Sequence, residues 1–247
     1  MRKKLKAVPK AESEPEIARL LIGYPGVDYL LGGGAVPESV VLIGGPPGVG
    51  KTTLLAGISA SVAQQQQQHG KARSSTKVLF ISAEQTAENF QKMQPSFGTK
   101  RSGIELISNI TGVDIFKFFS RVEASQPVLV VLDSLQTASG SAGFYAGERP
   151  LQQREVVNYF AALATKTKVI VFILSHTNRK GALAVQAAVP HFVDVVLYLK
   201  PHDNEICAER GLRVLDSRKN RYFHTGCAAL MLLSNGVCID PGAIHIS

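Results

Sequence analysis

Four uninterrupted apolar runs set the frame of this chain: Val40-Val41-Leu42-Ile43, Val78-Leu79-Phe80-Ile81 closing on Ser82, Val128-Leu129-Val130-Val131-Leu132 closing on Asp133, and Val169-Ile170-Val171-Phe172-Ile173-Leu174 closing on Ser175. A strand buried on both faces must be apolar at every position, so these runs predict a parallel sheet core with helices on both sides. Helical patterns separate them at Thr86 to Met93, Val113 to Ala124 and Gln152 to Thr165. A further helix follows the first run through Leu54-Leu55-Ala56-Gly57-Ile58; the tract Gln64 to Gln68 finishes it, Gly70 breaks it, and Lys71 to Thr76 reads as surface loop. The strand Asp194 to Leu199 precedes runs at Leu212 to Arg221 and Ala228 to Leu233, whose turn-rich connections predict antiparallel strands added at one edge. Before the sheet, Gly23 through Gly34 forms a glycine-rich lead-in. Residues 1–15 lack hydrophobic periodicity and read as a basic, flexible tail, leaving 16–247 as one α/β domain.

Composition agrees with a single domain. The chain has 247 residues, of which 45% are apolar, enough for one buried core. No apolar stretch approaches a membrane span, and the basic start, Met1 to Lys6, is not followed by a signal-peptide core, so the expected location is cytoplasmic, away from membranes. Cys207, Cys227 and Cys238 are odd in number and lack C-x-x-C spacing, which supports neither a disulfide framework nor a zinc site. The net charge of +8 suits a polyanionic partner, yet Arg2, Lys3, Lys4, Lys6 and Lys10 supply five of those charges from the tail. That tail reads equally as a solvated end or as a binding arm.

The chemistry concentrates where the apolar runs end. Gly45-Pro46-Pro47-Gly48-Val49-Gly50-Lys51-Thr52, continued by Thr53, fits G-x-x-x-x-G-K-[ST] between a strand and a helix. Such glycines fold the backbone into a nest of N–H groups aimed at phosphates, the lysine reaches the terminal phosphates, and the threonine hydroxyl holds Mg²⁺. Asp133 places a carboxylate at the strand edge where α/β sheets bind ligands, as a partner for Mg²⁺ or, more blandly, as a cap for the next segment. Glu84 lies at the same edge, either to polarise the attacking water or to start the following helix. Ser175 and His176 follow the fourth run and stand where a γ-phosphate could be sensed, although a strand-end histidine is commonly a surface group. Lys219 and Arg221 share one face of an edge strand, an arrangement that suits either a cation pair given to a neighbouring subunit's phosphate or a solvated basic edge.

These motifs occur together in a known order. Gly23-Tyr24-Pro25-Gly26 through Gly34, the phosphate loop, Ile81-Ser82-Ala83-Glu84, Asp133-Ser134-Leu135-Gln136-Thr137, Gln153-Arg154-Glu155, Ser175-His176-Thr177 and Lys219-Asn220-Arg221 resemble the RecA-like core of the bacterial RadA (Sms) ATPase family over roughly Ile17 to Asp240. The resemblance implies a RecA-like phosphate-loop NTPase fold and hydrolysis of ATP with Mg²⁺, Glu84 being the catalytic carboxylate. It also implies a hexameric ring related to DnaB-type helicases, in which Lys219 and Arg221 act on a neighbour's ATP. Two loops of the family bind single-stranded DNA; here they correspond to Ala138 to Pro150, carrying Phe144, Tyr145 and Arg149, and to Asn178 to Pro190, carrying Arg179 and Lys180. Aromatic and basic side chains suit base stacking and phosphate contact. The family's four-cysteine zinc element and Lon-like domain are not expected, and Tyr222-Phe223 replaces the usual Phe-Gly after Arg221. The leading expectation is a DNA-stimulated ATPase acting as a motor or mediator in repair and recombination. A KaiC-like, nucleotide-gated assembly ATPase is the alternative, and a small-molecule phosphotransferase lacks the basic lid and acceptor pocket it would need.

Overall fold

The computed structural model describes residues 18–68, 77–82, 84, 86–93, 102–108, 110–147, 149–178, 182–186, 188–226, 228–234 and 237–239. In chain order its elements are α1 (Pro25–Leu30), β1 (Val40–Gly44), α2 (Lys51–Gln68), β2 (Val78–Ser82), α3 (Ala87–Met93), β3 (Ile104–Ser108), α4 (Ile115–Ser125), β4 (Leu129–Asp133) and the one-turn α5 (Leu135–Ala138). A 3-10 turn (Gly140–Ala142) leads into β5 (Tyr145–Ala146) and β6 (Arg149–Pro150). Then come α6 (Gln153–Thr167), β7 (Ile170–Leu174), α7 (Val189–Phe192), β8 (Val195–Pro201), α8 (Glu205–Glu209), β9 (Leu212–Asn220), β10 (Ala228–Ser234) and β11 (Val237–Ile239).

The main sheet has the order β11-β10-β9-β8-β1-β7-β4-β2-β3. From β8 to β3 every pairing is parallel, whereas β9, β10 and β11 join antiparallel at one edge. The architecture is therefore the α/β one expected, with a mostly parallel sheet and antiparallel edge strands. Strand alternation splits the core into two layers. Val41, Ile43, Phe80 and Val131 pack with Leu54, Leu55 and Ile58 of α2, while Val40, Leu42, Val130 and Ile173 pack with Phe118 of α4 and Phe160 of α6. Full burial of each such side chain contributes about 1.5–3 kcal/mol before entropy is counted.

Among the departures from the sequence expectation, three bear on the argument. β3 lies at the far edge of the sheet, where Glu105 and its neighbours are only half buried and the apolar run is broken. The lead-in contains α1, started by Pro25, whose fixed φ suits a first helical turn. The Asp28 carboxylate holds that helix to the chain before it by accepting the amides of Ile22 (2.7 Å) and Gly23 (3.0 Å). The segment 138–150 is a short turn and hairpin rather than a free loop, and Phe144 is fully buried within it. Its ring packs 5.3 Å from Phe118 and 6.1 Å from Phe160. The base-stacking role expected of Phe144 is thus corrected: the apolar ring is taken up by the α4–α6 core layer and has no surface to offer a base.

Candidate nucleotide site

Parallel strands bring their C-terminal ends to one edge, and the register there is close. Ser82 at the end of β2 faces Asp133 at the end of β4, and the Ser175 amide after β7 donates to Ile43 O of β1 at 2.9 Å. The loop 45–50 leaves β1 at this edge and enters α2. At Gly45 a Cβ would stand 2.2 Å from Leu199 O, so only glycine permits the loop to cross β8 so closely. Gly50 has φ +101, a conformation that glycine adopts without a side-chain penalty. The Lys51 Nζ donates to the carbonyls of Gly45 (2.9 Å) and Pro46 (2.8 Å), folding the ammonium over the loop. Burial lowers its pKa, against the pull of Asp133 and Glu84. The amides ahead of the first helical bond, Leu54 N to Gly50 O at 2.9 Å, add the positive end of the 18-residue α2. Pro46, Pro47, Gly48, Val49, Thr52 and Thr53 complete the stretch.

Asp133 is 1% exposed, and its Oδ2 accepts the Thr52 hydroxyl at 2.8 Å. Its Oδ1 is buried with no hydrogen-bond partner. Burial raises the Asp133 pKa to about 6, with the Thr52 bond opposing the rise. A buried carboxylate oxygen without a donor, beside a threonine hydroxyl and under a phosphate loop, fits Mg²⁺, which takes one or two protein oxygens and relies on phosphates and water for the rest. Among the described residues no group of three or more His, Cys, Asp or Glu side chains forms a self-contained metal cage.

Glu84 stands across this edge as an acceptor hub. Its Oε1 receives the Ser134 hydroxyl at 2.5 Å and the Thr137 hydroxyl at 3.2 Å, and lies 2.7 Å from His176 Nε2. Burial pushes the Glu84 pKa up, but the bonds from Ser134, His176 and Thr137, with the His176 charge, outweigh it and leave the carboxyl below its usual range. It is therefore an ionised carboxylate at neutral pH, able to orient water. Ser175 is fully buried, and its Oγ accepts Gln136 Nε2 at 2.9 Å, while the His176 amide donates to Gln136 Oε1 at 3.3 Å. Ser134, Gln136 and Thr137 carry this network, and sequence reasoning gave none of them a role. Their signal was the spacing of three polar side chains in the first turn after a strand-end carboxylate.

Lys219 and Arg221 lie elsewhere. Asn220 pairs with Val195, the first residue of β8, three positions before Tyr198, which pairs with Gly44 just before the phosphate loop. Lys219 Nζ donates to Pro190 O and Val193 O, both at 2.6 Å, and Arg221 pairs with Asp194 (2.8 Å) and donates to His191 O (2.9 Å). The two cations do share a face, but in this chain they are tied down at the end of α7 rather than extended outward. Of the other expected positions, Tyr145 is half buried and donates to Ser141 O at 3.2 Å, and Arg149 is exposed and pairs with Glu155 through two bonds of 3.0 and 2.6 Å. Arg179 and Lys180 lie outside the described residues, as do Gly70, residues 71–76 and all of the expected tail 1–15. A cavity of about 610 Å³, walled in part by Leu20, Pro37, Val128 and Ile170, opens near the N-terminal ends of β4 and β7, away from the phosphate loop.

Comparison with known proteins follows the same lines. The family model described as an AAA domain matches residues 14–182. The DNA repair protein RadA of Mycobacterium tuberculosis is 31% identical over 229 residues, covering 91% of this chain and 44% of the relative; that of Halalkalibacterium halodurans is 31% identical over 218 residues, covering 88% and 44%. The chain thus spans less than half the length of these relatives. Among solved structures, a KaiC-like protein from Pyrococcus horikoshii superposes with a TM-score of 0.67 at 19% identity, covering 91% of this chain and 99% of that one. The RadB recombinase superposes with a TM-score of 0.60 at 18% identity, covering 89% and 98%. No helix among the described residues is long and apolar enough to cross a membrane.

Proposed function

This chain belongs to the AAA domain family and has a RecA-like ATPase core of the RadA type, and from that membership we propose that it hydrolyses ATP in a DNA-dependent repair or recombination role, at sites completed between subunits of a ring. The observation that supports hydrolysis best is the convergence of Lys51, Thr52, Asp133 and Glu84 on one edge, with Glu84 ionised and hydrogen-bonded at a single oxygen.

The loop amides and α2 would bind the triphosphate, and Lys51 would leave the carbonyls of Gly45 and Pro46 for the terminal phosphates. Thr52 and Asp133 would hold Mg²⁺, which when bound neutralises charge growing on the β- and γ-oxygens. Glu84 orients the attacking water and takes up its proton, while Ser134, Thr137 and His176 fix the carboxylate. In this reading Lys219 and Arg221 serve a neighbour's phosphate loop rather than their own. Three residues of β8, roughly 10 Å of strand, separate their edge from Gly44, and both side chains turn toward 190–194. A neighbouring subunit would bring its phosphates to them.

For the polyanion, Arg149 and Tyr145 on the 138–150 segment and Arg179 and Lys180 beyond Asn178 are the contact residues proposed. The test is the ATPase rate with and without single-stranded DNA across a salt series. Stimulation that fades with a steep salt dependence supports the reading. An unchanged rate, with no binding at low ionic strength, would sink the DNA role and favour a nucleotide-gated assembly ATPase.

A further inference from the structure

Gln136 makes three hydrogen bonds with its side chain, and together they tie one turn beside Glu84 to both arms of a hairpin. Its Nε2 donates to Ser175 Oγ and to Ala184 O, each at 2.9 Å, and its Oε1 accepts the His176 amide at 3.3 Å. Ser175 and Ala184 belong to the two arms of a narrow hairpin. The arms are paired through the Thr177–Leu183 bridge, through Ala184 N to His176 O and through Asn178 N to Ala182 O, the last two at 2.8 Å. The side chain therefore sits at the base of the hairpin and grips both strands of it. On the same turn, α5, Thr137 and the preceding Ser134 bind Glu84, which His176 also meets. A single helical turn thus touches the water-orienting carboxylate with two side chains and the hairpin with a third.

The chemistry asks for glutamine here. A planar amide presents two donors and an acceptor in a fixed fork without charge, whereas glutamate would place an acceptor against Ala184 O, and asparagine is a methylene too short to span from α5. A second glutamine holds the outer arm: Gln153 Oε1 accepts Gln186 N at 3.1 Å, and its Nε2 reaches Ala184 O at 3.5 Å.

We propose that Gln136 is a positioning residue that couples the nucleotide-bound state of the Glu84–His176 edge to the hairpin formed by 175–178 and 182–186. The inference rests on the reading of that edge as a nucleotide site. A displacement of Glu84 toward a phosphate-bound water pulls on Ser134, Thr137 and His176. Gln136 passes the movement to both hairpin arms, because neither can shift without breaking one of its bonds. A polyanion seated on the hairpin would act through the same three bonds in reverse.

Hydrogen exchange on the full chain, with and without Mg²⁺ and a non-hydrolysable ATP analogue, tests this. In the wild type the analogue is expected to slow exchange in the phosphate loop and to change exchange at 175–178 and 182–186 at least threefold. Gln136→Met should bind the analogue within threefold of wild type, keep its melting temperature within a few degrees, and lose the response of the outer arm, 182–186, while the phosphate-loop response stays and 175–178 keeps what His176 passes to it directly. Gln136→Glu, which keeps the acceptor and the length but removes both donors, should behave alike and carries the test if the methionine variant folds poorly. Gln153→Met should loosen 182–186 at rest yet keep the nucleotide response. Retention of the 182–186 response in both Gln136 variants, or a wild-type hairpin indifferent to nucleotide while the phosphate loop responds, overturns the coupling. An absence of phosphate-loop protection in the wild type refutes the nucleotide site itself.

Discussion

Asp133 is expected to cost the free protein stability at neutral pH. Its pKa rises from 3.8 to about 6 because burial disfavours the charged form, and the Thr52 bond only partly offsets this. A carboxyl with a raised folded-state pKa binds more protons when folded than when unfolded between pH 4 and 6, so the stability it lends below that window is lost as pH rises through it. A shift of about two units corresponds to about 3 kcal/mol when fully expressed, and about 2 kcal/mol of that falls between pH 4.5 and pH 8. The amide introduced by Asp133→Asn would not titrate, and whatever pH-independent cost it incurs is the same at both pH values. The comparison is therefore a double difference: thermal unfolding of wild type and Asp133→Asn, each at pH 4.5 and pH 8, in EDTA without nucleotide. For a chain of this size about 2 kcal/mol is roughly 4–8 °C. Wild type should lose that much more melting temperature than the variant on going to pH 8. With Mg²⁺ and an ATP analogue the ranking should turn over, since a ligand that binds only the native wild type adds stability by mass action. Melting temperatures that shift in parallel within 1 °C for both proteins would refute the assignment of a strained, buried carboxylate.

Three further outcomes follow from the same geometry. Glu84→Gln should bind ATP with near wild-type affinity and hydrolyse it roughly 10²–10⁴-fold more slowly, since the amide cannot take a proton; single-turnover phosphate release checks this, and fast release would place the base elsewhere. Phe144→Ala should destabilise the fold by about 3–5 kcal/mol in denaturant unfolding, as removal of a buried aromatic does; a cost below 1 kcal/mol would return Phe144 to the surface. Mixing Arg221→Ala with Lys51→Ala subunits should restore part of the ATPase rate at hybrid interfaces if the cation acts between chains, and inactivity at every ratio counts against that arrangement.

The continuous apolar strands were the legible part of the fold, because a strand covered on both faces leaves no choice of residue, and β1, β2, β4 and β7 are buried at all five positions. Half-covered elements were harder. β3 carries Glu105, whose Oε1 takes an ion pair from Arg121, so its pattern reads as broken although the ladder to β2 is complete. α1 is six residues long and is held by one aspartate rather than by periodicity. The 138–150 segment corresponds by resemblance to a loop, whereas Phe144 is anchored by rings from α4 and α6, contacts that no local pattern announces. At the site, residues with strong local signatures could be singled out beforehand. Gln136 carries only its place in the polar turn after Asp133, because its meaning depends on Ala184 and Ser175, which only the folded sheet edge brings within 2.9 Å.

The opposite edge of the sheet explains why single substitutions there are poor evidence. Lys219 and Arg221 donate to Pro190, His191 and Val193 carbonyls, so they satisfy backbone acceptors in and just after α7, a helix too short to satisfy its own. Asp194 joins the same cluster: one carboxylate oxygen takes Arg221 and the other takes the amide of Val40 at 2.9 Å, at the start of the strand that feeds the phosphate loop. Removing Arg221 therefore disturbs the entry of β1 as well as any intersubunit role, and a lost rate in that variant alone fits both accounts. The ion pair itself is half exposed on the arginine side, and pairs of that kind contribute about 0–1 kcal/mol. A phosphate offering two oxygens to the guanidinium could displace Asp194 at little cost, whereas the carbonyl contacts would hold the side chain in place while it did so. This is why the hybrid-subunit experiment is the discriminating one. In a mixed assembly the working site pairs the phosphate loop of the Arg221→Ala subunit with the intact Arg221 of its Lys51→Ala neighbour, so recovered activity reports both that the altered β1 entry still supports the loop and that the cation acts across the interface.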